Sequence, residues 1–259
     1  MDSGKKIIAR LHSADFGMSD SNFNSLNILK DNKIYYTLCS HNIDTHGRIY
    51  KYDPAGDGIE LFTDLGAVTG ETGKKSLPQG KSHTPIIEAD GKIYFATHYG
   101  FYQGNEGKEE PAPPPQGYSP YPGGKIIEYD KASGKFSILA VAPPEEGILT
   151  MNMDTKRMII YCLTWPKGIF MYYDINKKKL KTIGQDFTIR ICKIDGPVSR
   201  INGKRTAKAK IIFSNPDLAA TGHRTNYFQL LFIYIIIHKN ALRPGQAIDN
   251  PSPGVNIHS

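Results

Sequence analysis

Three stretches of the chain repeat one order of polar and apolar positions. They are DNKIYYTLCSH (31–41), DGKIYFATHYG (90–100) and DTKRMIIYCLTWP (154–166). Each begins with Asp and a small polar residue, continues with a basic residue, and then runs through apolar and aromatic positions. A polar turn followed by β-branched and aromatic residues is typical of a strand and the turn before it. We therefore predict three equivalent strands.

A second pair of runs follows each of these strands after a loop of variable length. These pairs are GRIYKYDPAGDGIELF (47–62), GGKIIEYDKASGKFSIL (123–139) and KGIFMYYDINKKKLKTI (167–183). In each, a strand ends in Tyr-Asp, and a short polar turn leads into another strand. Asp side chains accept hydrogen bonds from the backbone of such turns. We interpret the aspartates of both turn types as turn residues, namely Asp53, Asp130 and Asp174, together with Asp31, Asp90 and Asp154.

A short apolar run also precedes each opening Asp, in SLNILK (25–30), HTPIIEA (83–89) and GILTMNM (147–153). Each unit therefore predicts four antiparallel strands, which we name A to D in chain order. The opening aspartates are 59 and 64 residues apart, and insertions at 63–82 and 98–124 account for this long spacing. Four-stranded antiparallel units in tandem indicate an all-β fold, namely an incomplete β-propeller of about three blades. A generic β-meander or sandwich is the alternative.

The pattern stops near Gly184, although propellers typically need about four to eight blades to close. Beyond residue 186 there is no strand pair opened by Asp and no Tyr-Asp turn. We divide the chain into an N-terminal segment (1–22), propeller blades (23–186) and an atypical, irregular basic tail (187–259). We hypothesise that the tail does not belong to the propeller fold, as would result from a frameshift in the coding sequence. The alternative is that the tail is disordered.

The formal net charge of +7 belongs to this tail. Residues 177–259 hold 14 Lys and Arg against 4 Asp and Glu, whereas residues 1–176 hold 18 against 21. A nucleic-acid partner would depend on the tail alone, and we do not expect one. Cys39, Cys162 and Cys192 show no CxxC spacing, which argues against a disulfide framework or a zinc site. Cys39 and Cys162 lie in apolar strand runs, so we expect both thiols to be buried.

We predict no membrane partner. The longest apolar run, YFQLLFIYIII (227–237), is shorter than the roughly 20 residues of a membrane helix. The first 17 residues contain no apolar run of the kind found in signal peptides. The compartment stays open: either the chain is cytoplasmic, or its true N-terminus is missing and the parent protein is secreted or periplasmic.

The segments KSHTPIIEADGKIYFATHYG (81–100), YPGGKIIEYDKASGKF (121–136) and GILTMNMDTKRMIIYCLTWPKGIFMYYD (147–174) resemble a group of uncharacterised bacterial propeller proteins. More distantly, they are similar to propeller polysaccharide lyases of the ulvan and oligogalacturonate lyase type. The resemblance covers roughly residues 20–183. It implies a propeller with His, Tyr and Arg catalytic groups on one face, together with a metal in some members. No full catalytic motif matches, and a shared fold does not establish a shared function.

The strand order predicts where the histidines meet. The D–A and B–C loops of a four-stranded unit emerge at the same rim, so His83 at the end of one loop and His98 at the start of the other should lie close together. With Tyr99 they are the candidate catalytic residues. Residues expected at the same rim are the candidate substrate-binding residues, namely His41, Arg48, Lys81, Tyr102, Tyr121 and Trp165.

Imidazoles, phenols and cations suit an anionic sugar. A cation neutralises a uronate carboxylate, a neutral His or Tyr abstracts the C5 proton, and another protonates the leaving oxygen. Alternatively, two or three histidines hold a divalent metal, the only cofactor that we consider. The sequence thus favours a carbohydrate-active propeller. The more specific hypothesis is a lyase that cleaves uronate polysaccharide by β-elimination. The alternatives are a non-catalytic propeller that binds a glycan or a protein partner, a truncated fragment without activity, and histidines that only bond backbone at strand ends.

Overall fold

The computed structural model describes residues 10–105 and 108–184, and the strands 188–193, 199–201, 204–214 and 232–236 beyond them. The chain divides into two units, residues 1–184 and 185–259. The regular secondary structure of the described residues is β-strand, apart from one five-residue helix, α1 (Leu65–Thr69). None of the described helical structure is long and apolar enough to cross a bilayer. The predicted all-β class is confirmed.

The first unit contains three four-stranded antiparallel sheets. The first sheet runs in the order β1 (Leu26–Ile28), β2 (Ile34–Leu38), β3 (Arg48–Asp53) and β4 (Gly58–Asp64). The second consists of β5 (Ile87–Ala89), β6 (Lys92–Ala96), β9 (Lys125–Asp130) and β10 (Lys135–Val141). The third consists of β11 (Gly147–Asp154), β12 (Ile159–Trp165), β13 (Phe170–Asp174) and β14 (Lys179–Gly184). Each predicted four-strand unit is therefore a sheet whose strands pair in chain order, and the described residues do not form a closed propeller.

The Tyr-Asp turns have the predicted chemistry. The Asp53 carboxylate accepts from the Ala55 N–H at 2.9 Å, and that of Asp130 accepts from Ala132 N–H at 2.8 Å. Asp174 accepts from the Lys177 N–H at 3.0 Å. These bonds hold the backbone in the turn that joins strands C and D.

The opening aspartates are less uniform than the sequence predicts. Asp31 and Asp154 accept turn N–H groups, from Lys33 and Lys156 respectively. Asp90 instead occupies the turn itself, with φ of 48° beside Gly91 at 71°. Two successive residues with positive φ form the tight hairpin connection that matches strand twist. Asp90 is therefore a turn residue through its backbone conformation.

Apolar side chains fill the spaces between neighbouring sheets. Tyr35 and Ile49 of the first sheet cluster with Ile93, Phe95 and Ile127 of the second. The opposite face of the second sheet packs on the third through a separate cluster that includes Tyr94, Ile126, Met151, Ile160, Cys162 and Met171. Each fully buried large apolar side chain contributes roughly 1.5–3 kcal/mol. The two clusters hold the rim loops of the three sheets in fixed positions.

Two insertions carry elements that the sequence pattern did not predict. Helix α1 follows β4, and the Asp64 carboxylate caps it by accepting from the N–H groups of Gly66 and Ala67. Gly70 ends the helix in the left-handed conformation, with φ of 69°. Between β6 and β9 a two-stranded hairpin forms from β7 (Tyr102–Asn105) and β8 (Lys108–Pro111).

The second unit corrects the prediction of an irregular tail. Four strands are described there: β15 (Thr188–Lys193), β16 (Ser199–Ile201), β17 (Lys204–Ser214) and β18 (Phe232–Ile236). The long β17 pairs with each of the other three, so the strand order differs from that of the first three sheets. Ile-rich segments retain β-propensity even where the Asp turns are missing, and this explains the difference. The other residues after 184 lie outside the described residues, as do residues 1–9. The frameshift and disorder hypotheses concern those residues as well and remain hypotheses.

Candidate functional site

A backbone crossing brings the two predicted histidine segments together. The Lys81 N–H donates to the His98 carbonyl at 3.2 Å, and the His98 N–H donates back to the Lys81 carbonyl at 2.8 Å. One residue away, a Cβ built on Gly80 would lie closer than 3.0 Å to both Gly100 Cα and the Ser40 carbonyl oxygen. Only glycine allows the two segments to cross at this distance.

His83 and His98 lie side by side, with ring centroids 4.7 Å apart, so their predicted proximity is confirmed. Both are buried, at 7% and 2% exposure. Burial, reinforced by the charges of Lys81 and His41, lowers the pKa of His83 to about 3. Burial, followed by His83 and Lys81, holds the pKa of His98 well below its ordinary value. Both imidazoles are therefore neutral at physiological pH.

The ring nitrogens of His98 differ in their surroundings. Its Nδ1 lies 3.0 Å from the Tyr102 hydroxyl, which is also 3.2 Å from the Tyr99 carbonyl. The Nε2 atoms of His98 and His83 are buried and have no hydrogen-bond partner among the described residues. Buried polar atoms in native proteins nearly always have a partner, so this pair of nitrogens indicates a place for a polar group from outside the described chain.

Lys81 brings a positive charge to the histidine pair. Its side chain is fully buried, and its Nζ lies 4.4 Å from the ring centroid of Phe23 and 4.1 Å from that of Tyr102. The Phe23 ring also stacks on His83, with centroids 4.3 Å apart. Cation–π contacts of this kind stabilise an ammonium group that burial has removed from water.

Trp165 and Tyr102 form the half-buried outer part of the site, and the half-buried His41 lies next to it. The Trp165 ring centroid lies 5.8 Å from that of His98 and 5.6 Å from that of Tyr102. His41 lies 5.6 Å from Tyr102, centroid to centroid, and its Nδ1 contacts the Asp20 carboxylate at 2.7 Å. We refer to the six residues Phe23, Lys81, His83, His98, Tyr102 and Trp165 as the histidine site.

Tyr99 and Tyr121 lie beneath the histidine site. Their rings stack with centroids 4.0 Å apart. The Tyr99 hydroxyl donates to the Glu145 carbonyl, and the Tyr121 hydroxyl donates to Gln79 Oε1. Burial raises the pKa of both phenols, so each stays protonated. These contacts are those of supporting residues, and the predicted catalytic role of Tyr99 remains a prediction.

A buried ion pair supports the two tyrosines from below. The Lys125 ammonium contacts the Glu71 carboxylate, and the two side chains are 9% and 5% exposed. Gln79 Nε2 donates to Glu71 Oε2 at 3.1 Å and to the Gly123 carbonyl at 3.1 Å. Because Gln79 also accepts from Tyr121, the charged pair and the aromatic stack form one network.

Arg48 does not join the histidine site. Its Nε donates to the Asp64 carboxylate at 3.2 Å, and its guanidinium carbon lies 4.4 Å above the Phe16 ring. The side chain lines a separate cavity of about 490 Å³ beside β3 and α1. Arg48 thus contacts Asp64 and the N-terminal segment, and its predicted part in substrate binding remains a prediction.

The donor set does not fit a divalent metal. Within the described part of the chain, no group of three His, Cys, Asp or Glu side chains is placed to hold an ion. The histidine site supplies two imidazoles and a lysine, which repels a cation. We therefore assign no step to a metal.

Several residues of this region were missed by the sequence interpretation. They are Phe23, Gln79, Glu71, Lys125 and the crossing glycines Gly80 and Gly100. The two glycines could have been found, since each lies next to or near a candidate residue, in QGKSH and HYG. Phe23 carried no such signal, because it precedes the first repeated unit.

Comparisons with known proteins leave the family undetermined. No protein-family model matches the chain, and no curated protein is similar in sequence. Among solved structures, the extracellular domain of BT4673 from B. thetaiotaomicron matches with a TM-score of 0.41 and 14% identity, over 88% of this chain and 24% of that one. An auxiliary nutrient binding protein from Bacteroides thetaiotaomicron VPI-5482 matches with a TM-score of 0.41 and 11% identity, over 83% of this chain and 42% of that one.

A mutant of Synechocystis ACO matches with a TM-score of 0.35 and 8% identity, over 70% of this chain and 45% of that protein. The chain thus spans less than half the length of each of these three proteins. Similarity at this level decides neither the fold nor the function.

Proposed function

We propose that the three sheets are blades of a β-propeller and that the histidine site binds an acidic glycan. Each sheet pairs its four strands in chain order, and neighbouring sheets pack face to face through their apolar clusters. Tandem sheets of this kind are the units from which propellers are built. The loops that carry Lys81, His83 and His98 then lie at one rim, where a ligand can approach.

The observation that carries the proposal is the pair of buried Nε2 atoms beside a buried ammonium group. The positive charge of Lys81 favours an anion. A neutral imidazole presents either an N–H donor or a bare acceptor at Nε2, depending on the tautomer. A uronic acid residue supplies both matching groups, because its carboxylate accepts from an N–H and its hydroxyls donate to a bare nitrogen.

The aromatic residues suit the ring of the sugar. Trp165 and Tyr102 are half-buried at the outer side of the site, where an apolar sugar face can pack on them. The Nε2 atoms themselves are buried, and we infer that a ligand group reaches them by displacing the Tyr102 side chain, which contacts His98 Nδ1 at 3.0 Å and packs on Lys81 Nζ.

A second candidate function is β-elimination by the same residues, as in a polysaccharide lyase. The hydrogen-bonded pair of Tyr102 and His98 favours it, because a phenol and an imidazole in contact can move a proton. The low pKa values count against it. General bases work best with a pKa near the operating pH, and the pKa of His83 is about 3. Binding is therefore the function that the geometry supports better.

Titration calorimetry with polygalacturonate, alginate and neutral dextran tests the binding proposal. We expect the acidic polymers to bind and dextran not to bind. Lys81→Met should weaken binding roughly ten- to hundredfold, since hydrogen bonds to charged groups contribute about 1.5–3 kcal/mol. Lys74→Met is the matched control, because Lys74 is exposed in the same loop.

Equal affinity for all three polymers, or a Lys81→Met variant that binds as tightly as its Lys74→Met control, would contradict the proposal. Ultraviolet absorbance of an unsaturated sugar product tests the lyase alternative on the same samples. Binding without any such absorbance supports a glycan-binding module. Failure to bind, with an unfolding transition that lacks cooperativity, supports the third alternative of an inactive fragment.

A further inference from the structure

A second concave site lies beside the first sheet. It has a volume of about 490 Å³, within the roughly 300–1,000 Å³ of small-molecule sites. Three segments form it: the chain around Phe16, the loop before β3, and the region of α1. Its polar lining consists of Asp15, Asp44, Thr45, His46, Arg48, Asp64 and Thr72.

The carboxylates of this cavity are held in place by neighbouring groups. Asp44 accepts from the Tyr118 hydroxyl at 2.6 Å and from Lys75 Nζ at 2.9 Å, and these bonds lower its pKa. Asp64 accepts from Arg48 and caps α1. The lining therefore offers fixed acceptors on two sides.

The single guanidinium in the lining is also fixed in position. Arg48 lies over the Phe16 ring and pairs with Asp64. His46 is neutral, because burial lowers its pKa, and its Nδ1 accepts the Gln79 N–H at 3.1 Å. The cavity thus has three acidic side chains against one cation among its lining residues.

We propose that this cavity binds a neutral sugar residue of the same glycan whose acidic residue occupies the histidine site. The proposal rests on the glycan-binding function inferred above. An acidic sugar is disfavoured, since three carboxylates stand against two cations, Arg48 in the lining and Lys75 paired with Asp44. Hydroxyl groups fit, because they donate to the Asp carboxylates and accept from Arg48. The preferred ligand is then a polymer in which acidic and neutral residues alternate.

One loop connects the two sites. His41, at its start, lies 5.6 Å from Tyr102 of the histidine site, and Asp44 lines the cavity. Three Cα–Cα steps of about 3.8 Å separate these two residues, so their Cα atoms are at most about 11 Å apart. A short oligosaccharide that follows the loop can therefore reach both sites.

Calorimetry with two tetrasaccharides tests this inference. Hyaluronan tetrasaccharide alternates acidic and neutral residues, whereas tetragalacturonate is acidic throughout. We expect hyaluronan tetrasaccharide to bind about tenfold more tightly, the effect of one or two additional hydrogen bonds. Gly17→Phe should remove that preference, because a Cβ at Gly17 meets nothing within 4 Å and the ring has room to fill the cavity.

Gly56→Phe is the matched control, since Gly56 lies in the exposed turn between β3 and β4, outside the cavity lining. It should keep the tenfold preference. Equal binding of the two tetrasaccharides to the parent protein, or a preference that Gly17→Phe leaves intact, overturns the second site while glycan binding stands. If neither tetrasaccharide nor polygalacturonate binds, the proposed function itself fails, and this inference fails with it.

Discussion

The buried pair of Glu71 and Lys125 allows a quantitative test of the support beneath the histidine site. Glu71→Gln keeps the size of the side chain but leaves the ammonium of Lys125 without its counter-charge, at 9% exposure. Removing one partner of a buried ion pair costs about 3–5 kcal/mol. The loss should fall at the high end, because Glu71 also accepts from Gln79, which holds Tyr121.

Urea unfolding followed by tryptophan fluorescence measures this loss. Trp165 is the one tryptophan of the chain, so its signal reports on the unit that contains the pair. With a slope of about 2 kcal/mol per molar urea, a loss of 3–5 kcal/mol lowers the midpoint by about 1.5–2.5 M. The double variant Glu71→Leu with Lys125→Met should recover most of it, since well-packed apolar residues often replace buried pairs at little cost.

Glu60→Gln provides the comparison. It breaks the pair with Lys51 at a carboxylate that is 60% exposed, where about 0–1 kcal/mol is expected. If Glu71→Gln shifts the midpoint no more than Glu60→Gln, the pair is not buried in solution and the network beneath Tyr99 and Tyr121 does not carry the stability assigned to it.

Three further predictions follow from the same geometry. Gly80→Ala and Gly100→Ala should each lower the free energy of unfolding by about 1–3 kcal/mol or more, because the added methyl group meets backbone atoms. Gly104→Ala is the control in the same urea assay. It should be close to neutral, because a Cβ at Gly104 has nothing within 4 Å. The free energy of unfolding should fall as the pH drops below about 6.5. The folded-state pKa values of His46, His83 and His98 are depressed, so the unfolded state binds more protons at these residues. His83 and His98, whose pKa values are lowered most, each contribute about 1.4 kcal/mol at one pH unit below the unfolded value. His83→Gln should reduce this pH dependence of the unfolding free energy between pH 5 and 6.5, and an unchanged profile would mean that the imidazole is solvated. Cys39 is buried and its pKa is raised to about 11, so native protein at neutral pH should resist alkylation of this thiol by iodoacetamide. Rapid labelling, measured by mass spectrometry, would show that the strand around Cys39 opens.

The sequence predicted the parts of the fold that depend on local chemistry. Asp53, Asp130 and Asp174 hold their turns through bonds to the next few backbone N–H groups, so a short window of residues determines them. The pairing of strands in chain order followed from these turns. The meeting of His83 and His98 followed in turn, because both loops leave neighbouring strands at the same rim.

Other features depend on contacts between distant residues and could not be predicted from local patterns. The burial of the two imidazoles requires Phe23 and Trp165, which come from outside the second sheet. The contact of Arg48 with Phe16 of the N-terminal segment could not be predicted either, because the two residues lie in different segments of the chain. The strands beyond residue 184 could not be predicted from the turn pattern, because the Asp turns that mark the first three sheets are missing there.

The histidine site takes its side chains from the second sheet with its loops, from the third sheet and from the segment before the first sheet. Phe23 precedes β1, Lys81 and His98 belong to the second sheet and its loops, and Trp165 ends β12 of the third. A ligand bound by all of these residues binds only while the sheets stay packed together. Ligand binding at the histidine site and the packing of the sheets are therefore thermodynamically linked. Saturating ligand should therefore raise the unfolding temperature, and damage to the packing between the second and third sheets should weaken binding without touching any residue of the site.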